Sequence, residues 1–398
     1  RGAGGGRGKA RRRARRPSRN VRPHLPVPRP PMNFSELRLL LVGPLPPPAG
    51  GMANQTRQLA ELLRGEGVQV EVAQVNAPYR PAWAGRIKGM RALFRLVPYL
   101  FALWRGCGRA GLVHVMANSG WSWHLFAAPA VWMARLRGTP VVVNYRGGEA
   151  DAFLARAGKW VRPTMRRADA LILPSGFLLE VFARHGMPGR IVPNIVDLDR
   201  FRPAGALPGA GDAPHLIVAR NLERIYGNDT VLHAFARILE HFPGARLSVA
   251  GSGPEAAALA ALARELGIAG RVRFTGRLDR DQMAALYREA HLMLNASRVD
   301  NMPNAILEAL ASGVPVVSTG VGGIPHMVRD GHTAMLVPPD DAPALAAAAL
   351  AVLRDDVLRG RLVAGGLADV RRYRWESVRA ELAAAYDDAT RAERPQVT

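Results

Sequence analysis

The sequence predicts an α/β protein of two doubly wound lobes, and three observations carry that expectation. At 398 residues the chain is longer than one hydrophobic core ordinarily organises, so two domains are expected. From Met32 onward, short apolar runs alternate with stretches of helical periodicity, the pattern of βαβ units and parallel sheets. That rhythm breaks once, at a Pro- and Gly-rich loop from Pro203 to Pro214, and then resumes. In the first half, strands are expected at 37–42, 68–75, 112–116, 140–145, 170–173 and 190–192, with helices between them, for example over 53–64, 121–136 and 176–185. In the second half they are expected near 215–219, 246–250, 271–275, 292–295, 315–318 and 334–337. The chain then divides into a tail (1–31), a first lobe (32–205), a second lobe (206–374) and a C-terminal helical segment (375–398) able to cross back to the first lobe.

Composition is that of a globular protein, 48% hydrophobic and 22% charged, with no run of uncharged apolar residues long enough to span a bilayer. The formal charge of +22 is uneven, because residues 1–31 hold eleven of the Arg and Lys and no acid. This Arg-, Gly- and Pro-rich tail cannot build a core, and it precedes Met32, which stands just before the first strand-like run. The tail is therefore expected to be disordered and dispensable. Lysine occurs only at Lys9, Lys88 and Lys159, so the basicity is arginine, in a sequence equally rich in Ala, Gly and Pro. A single cysteine, Cys107, excludes an internal disulfide framework and fits a reducing setting, and with no secretory leader read at the start a cytoplasmic location is expected.

In parallel sheets ligands gather at the carboxyl ends of strands, so the loops after the strands carry the chemistry. The loop from Gly43 to Met52 contains Gly50-Gly51 at a helix start, where backbone N–H groups and the helix dipole can hold an anion. The same residues would serve a plain turn. Arg220, after the strand 215–219, offers a forked, permanently charged guanidinium suited to a diphosphate, although any one of many arginines can be an ordinary surface residue. Gly251-Ser252-Gly253 makes a tight turn that enters a helix or leaves room for a nucleotide. The most specific stretch runs from Asn295 to Val317: a strand, a polar loop with Asp300, a helix opening near Pro303, and Glu308 within that helix. Its neighbours Ile306, Leu307, Ala309 and Leu310 make the helix a buried one, and an acid there is usually paired or liganded.

In this order, these pieces resemble the retaining GT-B glycosyltransferases of the family 4 type, over nearly the whole span from 37 to about 386. The matching elements are Gly50-Gly51, Pro193-Asn194-Ile195-Val196-Asp197 with Phe201-Arg202-Pro203, Arg220, Gly251-Ser252-Gly253, Phe274-Thr275-Gly276, the spaced acids Asp300 and Glu308, and Gly322-Gly323-Ile324-Pro325 before Asp330-Gly331. The resemblance implies two Rossmann-like lobes facing a cleft, with the acceptor on the first lobe and a nucleoside diphosphate sugar on the second. It implies donor binding by Gly50, Gly51, Arg220, Arg224, Gly251, Gly253, Gly276, Arg277, Asn301, Met302, Pro303, Asn304 and Glu308. Arg220, Asp300 and Glu308 are implied in catalysis, and Arg146 and Glu149 on the acceptor side. Glu308 would take the nucleotide ribose and Asp300 the transferred sugar.

Departures from the family pattern sharpen the expectations. The family often has a Lys before a Gly downstream of the Arg220 position; here Tyr226-Gly227 stands there, and Arg224 is the candidate to take over that grip. The first acid of the family pair is Glu, and Asp300 is one methylene shorter. The histidine frequent after the fourth strand is replaced by Asn144-Tyr145-Arg146-Gly147-Gly148-Glu149, and the glutamate after the Gly-Gly-x-Pro element is His326. With no Asp-x-Asp pair placed for a metal, neither metal nor cofactor is expected beyond the nucleotide-sugar co-substrate, and arginines with helix ends must stabilise the leaving diphosphate. The acceptor is expected to be a glycan, a lipid-linked or a small-molecule hydroxyl compound, in polysaccharide or glycoconjugate biosynthesis. The segment 86–109 mixes arginines with Phe94, Tyr99, Phe101 and Trp104, which reads either as an ordinary lobe helix or as a peripheral contact with an anionic membrane on its inner face. A pyridoxal-dependent phosphorylase is excluded because no lysine follows Lys159. A nucleotide-sugar epimerase of the same fold stays open, as does a non-enzymatic basic membrane or nucleic-acid binder. The second has no use for Asp300 or Glu308, so no specific nucleic acid is expected.

Overall fold

The computed structural model describes residues 34–47, 50–79, 91–203, 205 and 211–391; the basic tail, the start of the 86–109 stretch and the segment 392–398 lie outside the described residues. The first lobe is a parallel sheet of β1 (Arg38–Gly43), β2 (Gln69–Gln74), β3 (Leu112–Ala117), β4 (Val141–Tyr145), β5 (Ala170–Leu173) and β6 (Arg190–Ile191), in the order β2-β1-β3-β4-β5-β6. Its helices are α1 (Gly51–Gly65), α2 (Arg91–Cys107), α3 (Ala128–Leu136), α4 (Ala150–Met165) and α5 (Gly176–Arg184). The second lobe carries β7 (His215–Ala219), β8 (Arg246–Ala250), β9 (Val272–Gly276), β10 (Leu292–Asn295), β11 (Val316–Thr319) and β12 (Met335–Val337), in the order β12-β11-β10-β7-β8-β9. Around it lie α6 (Asn228–Leu239), α7 (Ala256–Glu265), α8 (Arg280–Arg288), α9 (Asn304–Ala311), α10 (Ile324–Met327), α11 (Ala342–Arg354) and α12 (Asp356–Asp369), and α13 (Trp375–Arg391) closes the chain.

The strands were legible because both faces of each sheet are covered, which demands near-continuous apolar runs. All six residues of β3 are buried, and β1 is buried from Leu39 on. The expected helix at 121–136 is interrupted: a π-helical turn spans Trp123–Ala127 before α3 begins. Pro129, at the start of α3, has no N–H to donate, and the wider turn accommodates that missing bond.

Helix α13 packs on β4 and β5 of the first sheet. Val378, Leu382 and Tyr386 join a core with Leu39, Leu41 and Leu59. The Tyr386 hydroxyl lies 2.7 Å from His114 Nδ1, and Trp375 Nε1 donates to Glu66 at 2.8 Å. Burial pushes the His114 pKa down to about 3, so this ring is a neutral packing and hydrogen-bonding group.

Strand order also places the site. In each sheet the order reverses once, between β1 and β3 in the first and between β7 and β10 in the second, and at such a reversal the loops leave in opposite directions and open a crevice. The loops after β1 and β3 meet the loops after β7 and β10 across one cleft.

Candidate active site

The cleft has a volume of about 830 Å³. From the first lobe it is lined by Gly50 and Gly51 after β1, Asn118 and Ser119 after β3, and Arg146 to Glu149 after β4. From the second lobe come Arg220 after β7, Gly251 after β8, Arg277 and Arg280 after β9, and the segment from Val299 to Glu308 after β10. Helix α1 starts at Gly51 behind an extended Gly50 with no side-chain cap, so its first N–H groups are free to face the cleft. Helix α9 starts at Asn304 behind Pro303, also uncapped by a side chain.

Two glycines hold the second-lobe loops together. A Cβ at Gly251 would fall on the Arg220 carbonyl oxygen, and one at Gly322 (φ 54°) would fall on that of Asp300. The turn after β8 therefore presses on the Arg220 loop, and the Gly322-Gly323 turn presses on the Asp300 loop.

Arg220 and Asp300 are not separate tools. Arg220 Nη2 donates to Asp300 Oδ2 at 2.5 Å, in a pair whose side chains are 11% and 12% exposed. Ser297 Oγ donates to the same Asp300 oxygen at 3.1 Å, and the Asn301 N–H to the other at 3.0 Å. The guanidinium lies 4.0 Å from the Tyr226 ring centroid, and its buried Nε has no hydrogen-bond partner. Tyr226, standing where the family pattern has lysine, thus serves as a flat support for Arg220.

Glu308 sits on the second turn of α9, where Tyr287 donates its hydroxyl to Glu308 Oε2 at 3.3 Å. Burial pushes the Glu308 pKa up from 4.5 to about 7, and the Tyr287 hydrogen bond and the nearby Arg280 only partly oppose this. A carboxylate held poorly solvated at the edge of a cleft is suited to accept hydroxyl donors that a ligand brings.

The lobes meet through amides and hydroxyls. Asn194 Nδ2 donates to the Met302 carbonyl at 2.9 Å and to Asn304 Oδ1 at 2.7 Å, while Ser175 Oγ donates to Asn301 Oδ1 at 2.5 Å. Within the first lobe, Gln55 Nε2 on α1 donates to the Ile195 carbonyl at 3.1 Å and holds the segment that carries Asn194.

Most of the residues singled out from sequence line this cleft: Gly50, Gly51, Arg146, Glu149, Arg220, Gly251, Arg277, Asp300, Asn301, Met302, Pro303, Asn304 and Glu308. Three do not. Arg224 is an exposed residue of a short 3-10 turn beside the cleft, and its backbone carbonyl accepts from Arg298. Gly253 packs under Leu222, whose carbonyl a Cβ would strike. Gly276 takes a φ of 69° and accepts from the Gly251 N–H at 2.9 Å, which shapes the turn without entering the cleft. Sequence reasoning missed Arg280, Tyr287 and Asn194. The first is one arginine among many, the second is indistinguishable from a core tyrosine, and the third lay inside a quoted motif without a role.

Among the described residues no group of three or more His, Cys, Asp or Glu is gathered for a metal ion, and no helix is long and apolar enough to cross a membrane.

Residues 49–200 match the family model Glycosyltransferase Family 4, and residues 213–355 match Glycosyl transferases group 1. The chain is similar to a phosphatidyl-myo-inositol mannosyltransferase of Mycobacterium leprae, 28% identical over 373 residues that cover 87% of this chain and 96% of the relative. It is also similar to a D-inositol 3-phosphate glycosyltransferase of Acidothermus cellulolyticus, 32% identical over 266 residues that cover 63% of this chain and 57% of the relative. Among solved structures, sucrose-phosphate synthase from Thermosynechococcus elongatus has the same fold, with a TM-score of 0.70 at 23% identity over 89% of this chain and all of the other. So does Anabaena Alr3699/HepE in complex with UDP and glucose, with a TM-score of 0.69 at 17% identity over 88% of this chain and 99% of the other.

Proposed function

Since the chain belongs to the glycosyltransferases of the group 1, family 4 type and has their GT-B fold, we propose that it moves a sugar, with retention, from a nucleoside diphosphate donor to an acceptor hydroxyl. The observation that carries this reading is the cleft between the two strand-order reversals, with a cation, an enclosed carboxylate and two open helix N-termini on its walls. Glu308 accepts the ribose hydroxyls. Arg220, held in place by Asp300 and Tyr226, offers its guanidinium charge to the diphosphate, with Arg277 and the α1 N–H groups adding donors where charge grows as the donor bond breaks. The acceptor hydroxyl enters from the first lobe and attacks the face the diphosphate leaves. The C–O bond to phosphate breaks, the new C–O bond forms, and the hydroxyl proton passes to the departing phosphate oxygen. In this reading the electrostatic work is done by guanidinium and helix termini, with no metal. Screening UDP- and GDP-sugars for hydrolysis and transfer, with and without EDTA, tests it. Product that forms only by acceptor-independent isomerisation would favour an epimerase, and loss of all turnover with EDTA would overturn the metal-free part.

We also propose that the first lobe rests on an anionic membrane, in support of a lipid-linked acceptor. Helices α2, α3 and α4 pack side by side and leave Phe101 62%, Trp104 44%, Trp132 41% and Trp160 79% exposed. Arg137 stacks over Trp104 at 4.5 Å and Arg167 over Trp132 at 4.3 Å. No Asp or Glu occurs between Glu71 and Glu149, so this apolar face is framed by cations alone along α2 and α3. Aromatic rings beside arginines suit the headgroup region of acidic lipids. The face is wider than the single stretch 86–109 read from sequence.

A further inference from the structure

The cation on the first-lobe wall of the cleft has no use in the chemistry above. Arg146 follows β4 directly, its N–H fixed by the Ala117 carbonyl at 2.9 Å. Its Nε donates to Asn144 Oδ1 at 3.2 Å and its Nη1 donates to Asn194 Oδ1. Both partners are neutral amides already held elsewhere: Asn144 by His114 at 3.1 Å, and Asn194 by Met302 and Asn304. His114 is itself neutral. The nearest cleft acid in sequence, Glu149, is exposed and makes no ion pair with it. Arg220, the comparable second-lobe cation, has Asp300; Arg146 pairs with no described carboxylate.

Arg146 is half-buried on the cleft wall, and drawing a charge even partly out of water without a counterion is unfavourable, so proteins ordinarily supply a partner. Burial lowers the Arg146 pKa only to about 10, so the group stays charged at neutral pH and the cost is not avoided by deprotonation. Beside it, Gly147 lets the chain press against the loop after β3: a Cβ there would meet Ser119 Oγ at 2.5 Å and Asn118 Oδ1 at 2.6 Å. The surroundings are thus hydroxyl and amide groups suited to a sugar, with one uncompensated cation among them.

We propose that Arg146 is the receptor for an anionic group, a carboxylate or a phosphate, carried by the sugar or by the acceptor, so that this enzyme works on an acidic saccharide or a phosphorylated acceptor. The proposal rests on the glycosyl-transfer reading and deepens it. The free enzyme leaves the guanidinium without its counterion, and the substrate completes the pair in a low-dielectric pocket, where charge-assisted hydrogen bonds are strongest.

The test is calorimetry with matched probes on the full chain and on Arg146→Gln, which keeps a donor for Asn194 but not the charge. The donor arm compares UDP-glucuronate with UDP-glucose. The acceptor arm, at saturating UDP, compares glucuronate and glucose 6-phosphate with glucose. The wild type should favour the acidic member of at least one arm by about tenfold or more, the scale of one charge-assisted hydrogen bond. The arm and the anion that respond tell whether the charge is on donor or acceptor and whether it is carboxylate or phosphate. Arg146→Gln should reduce that preference to about twofold or less, with UDP affinity unchanged, and Arg146→Lys should restore part of it. A wild type without preference in either arm overturns the proposal. So does a Gln variant that loses affinity for UDP itself, which would assign the cation to the diphosphate, or one that weakens acidic and neutral probes equally, which would make Arg146 a support for Asn194. Failure of the glycosyl-transfer reading looks different: the wild type would bind no nucleotide at all.

Discussion

Glu308 is the residue whose two roles pull against each other, and Glu308→Gln separates them. Its pKa rises on folding from 4.5 to about 7, so between those values the folded protein holds a proton that the unfolded chain has released. Stability therefore falls as pH rises through this window, and the full penalty is present above about pH 7. Carrying the pKa from 4.5 to about 7 corresponds to roughly 3 kcal/mol at most, and the partial exposure of the residue brings the expected value to ~1–2 kcal/mol. Gln has the same shape, accepts from Tyr287 and cannot ionise, so the variant should be more stable than wild type at pH 8 and nearly equal at pH 5. Donor binding should move the other way. Ribose hydroxyls prefer the ionised carboxylate, so wild-type affinity should rise by up to about tenfold per pH unit below pH 7 and then level off. The variant should bind more weakly at pH 8 by ~1.5–3 kcal/mol and show a flat profile. Urea denaturation and calorimetry with UDP or GDP, each at pH 5.5, 7 and 8, measure both halves. If the variant keeps the wild-type pH profile for the nucleotide, Glu308 is not the ribose acceptor and the reasoning fails.

Arg220→Ala should lower turnover by about a hundredfold or more while leaving binding of the nucleoside portion little changed, since the lost cation acts mainly on charge that grows in the transition state; wild-type turnover at saturating donor would make it a purely structural partner of Asp300. Arg224→Ala should leave donor affinity within about twofold, because the side chain is exposed and outside the cleft, and a large loss in calorimetry would return it to the role first expected from sequence. Replacing Phe101 and Trp160 by Ser should reduce sedimentation with anionic vesicles without affecting turnover on a soluble acceptor, and salt should weaken what remains. Equal partitioning of the wild type onto neutral and anionic vesicles would refute that face as an electrostatic contact.

The fold was legible because parallel strands covered on both faces must be apolar along their whole length, and the twelve expected strands lie within a residue or two of those observed. The glycine turns were legible as turns, but not their purpose. Gly251 and Gly253 sit two apart in one motif, yet one presses on Arg220 inside the cleft and the other packs under Leu222 outside it. Spacing along a strand–turn–helix unit fixes which end of the sheet a residue occupies, and it does not fix which side of the turn faces a ligand. For the same reason Arg224 drew notice while Arg280, which opens α8 and comes near enough to act on Glu308, did not.

The shorter acid at Asp300 then gains a physical meaning. Both oxygens of its carboxylate are engaged: Arg220 and Ser297 on one, the Asn301 N–H on the other. An acid so placed fixes the Arg220 fork against Tyr226 in the free protein. Arg220 is consequently neutralised by a protein carboxylate, whereas Arg146 pairs with none among the described residues. A site that carefully compensates one buried cation has a reason to leave the other bare, and the simplest is that the missing charge arrives with the substrate. Electrostatics, more than the loop motifs, then becomes the feature by which this enzyme would select its sugar or acceptor from others of the same fold.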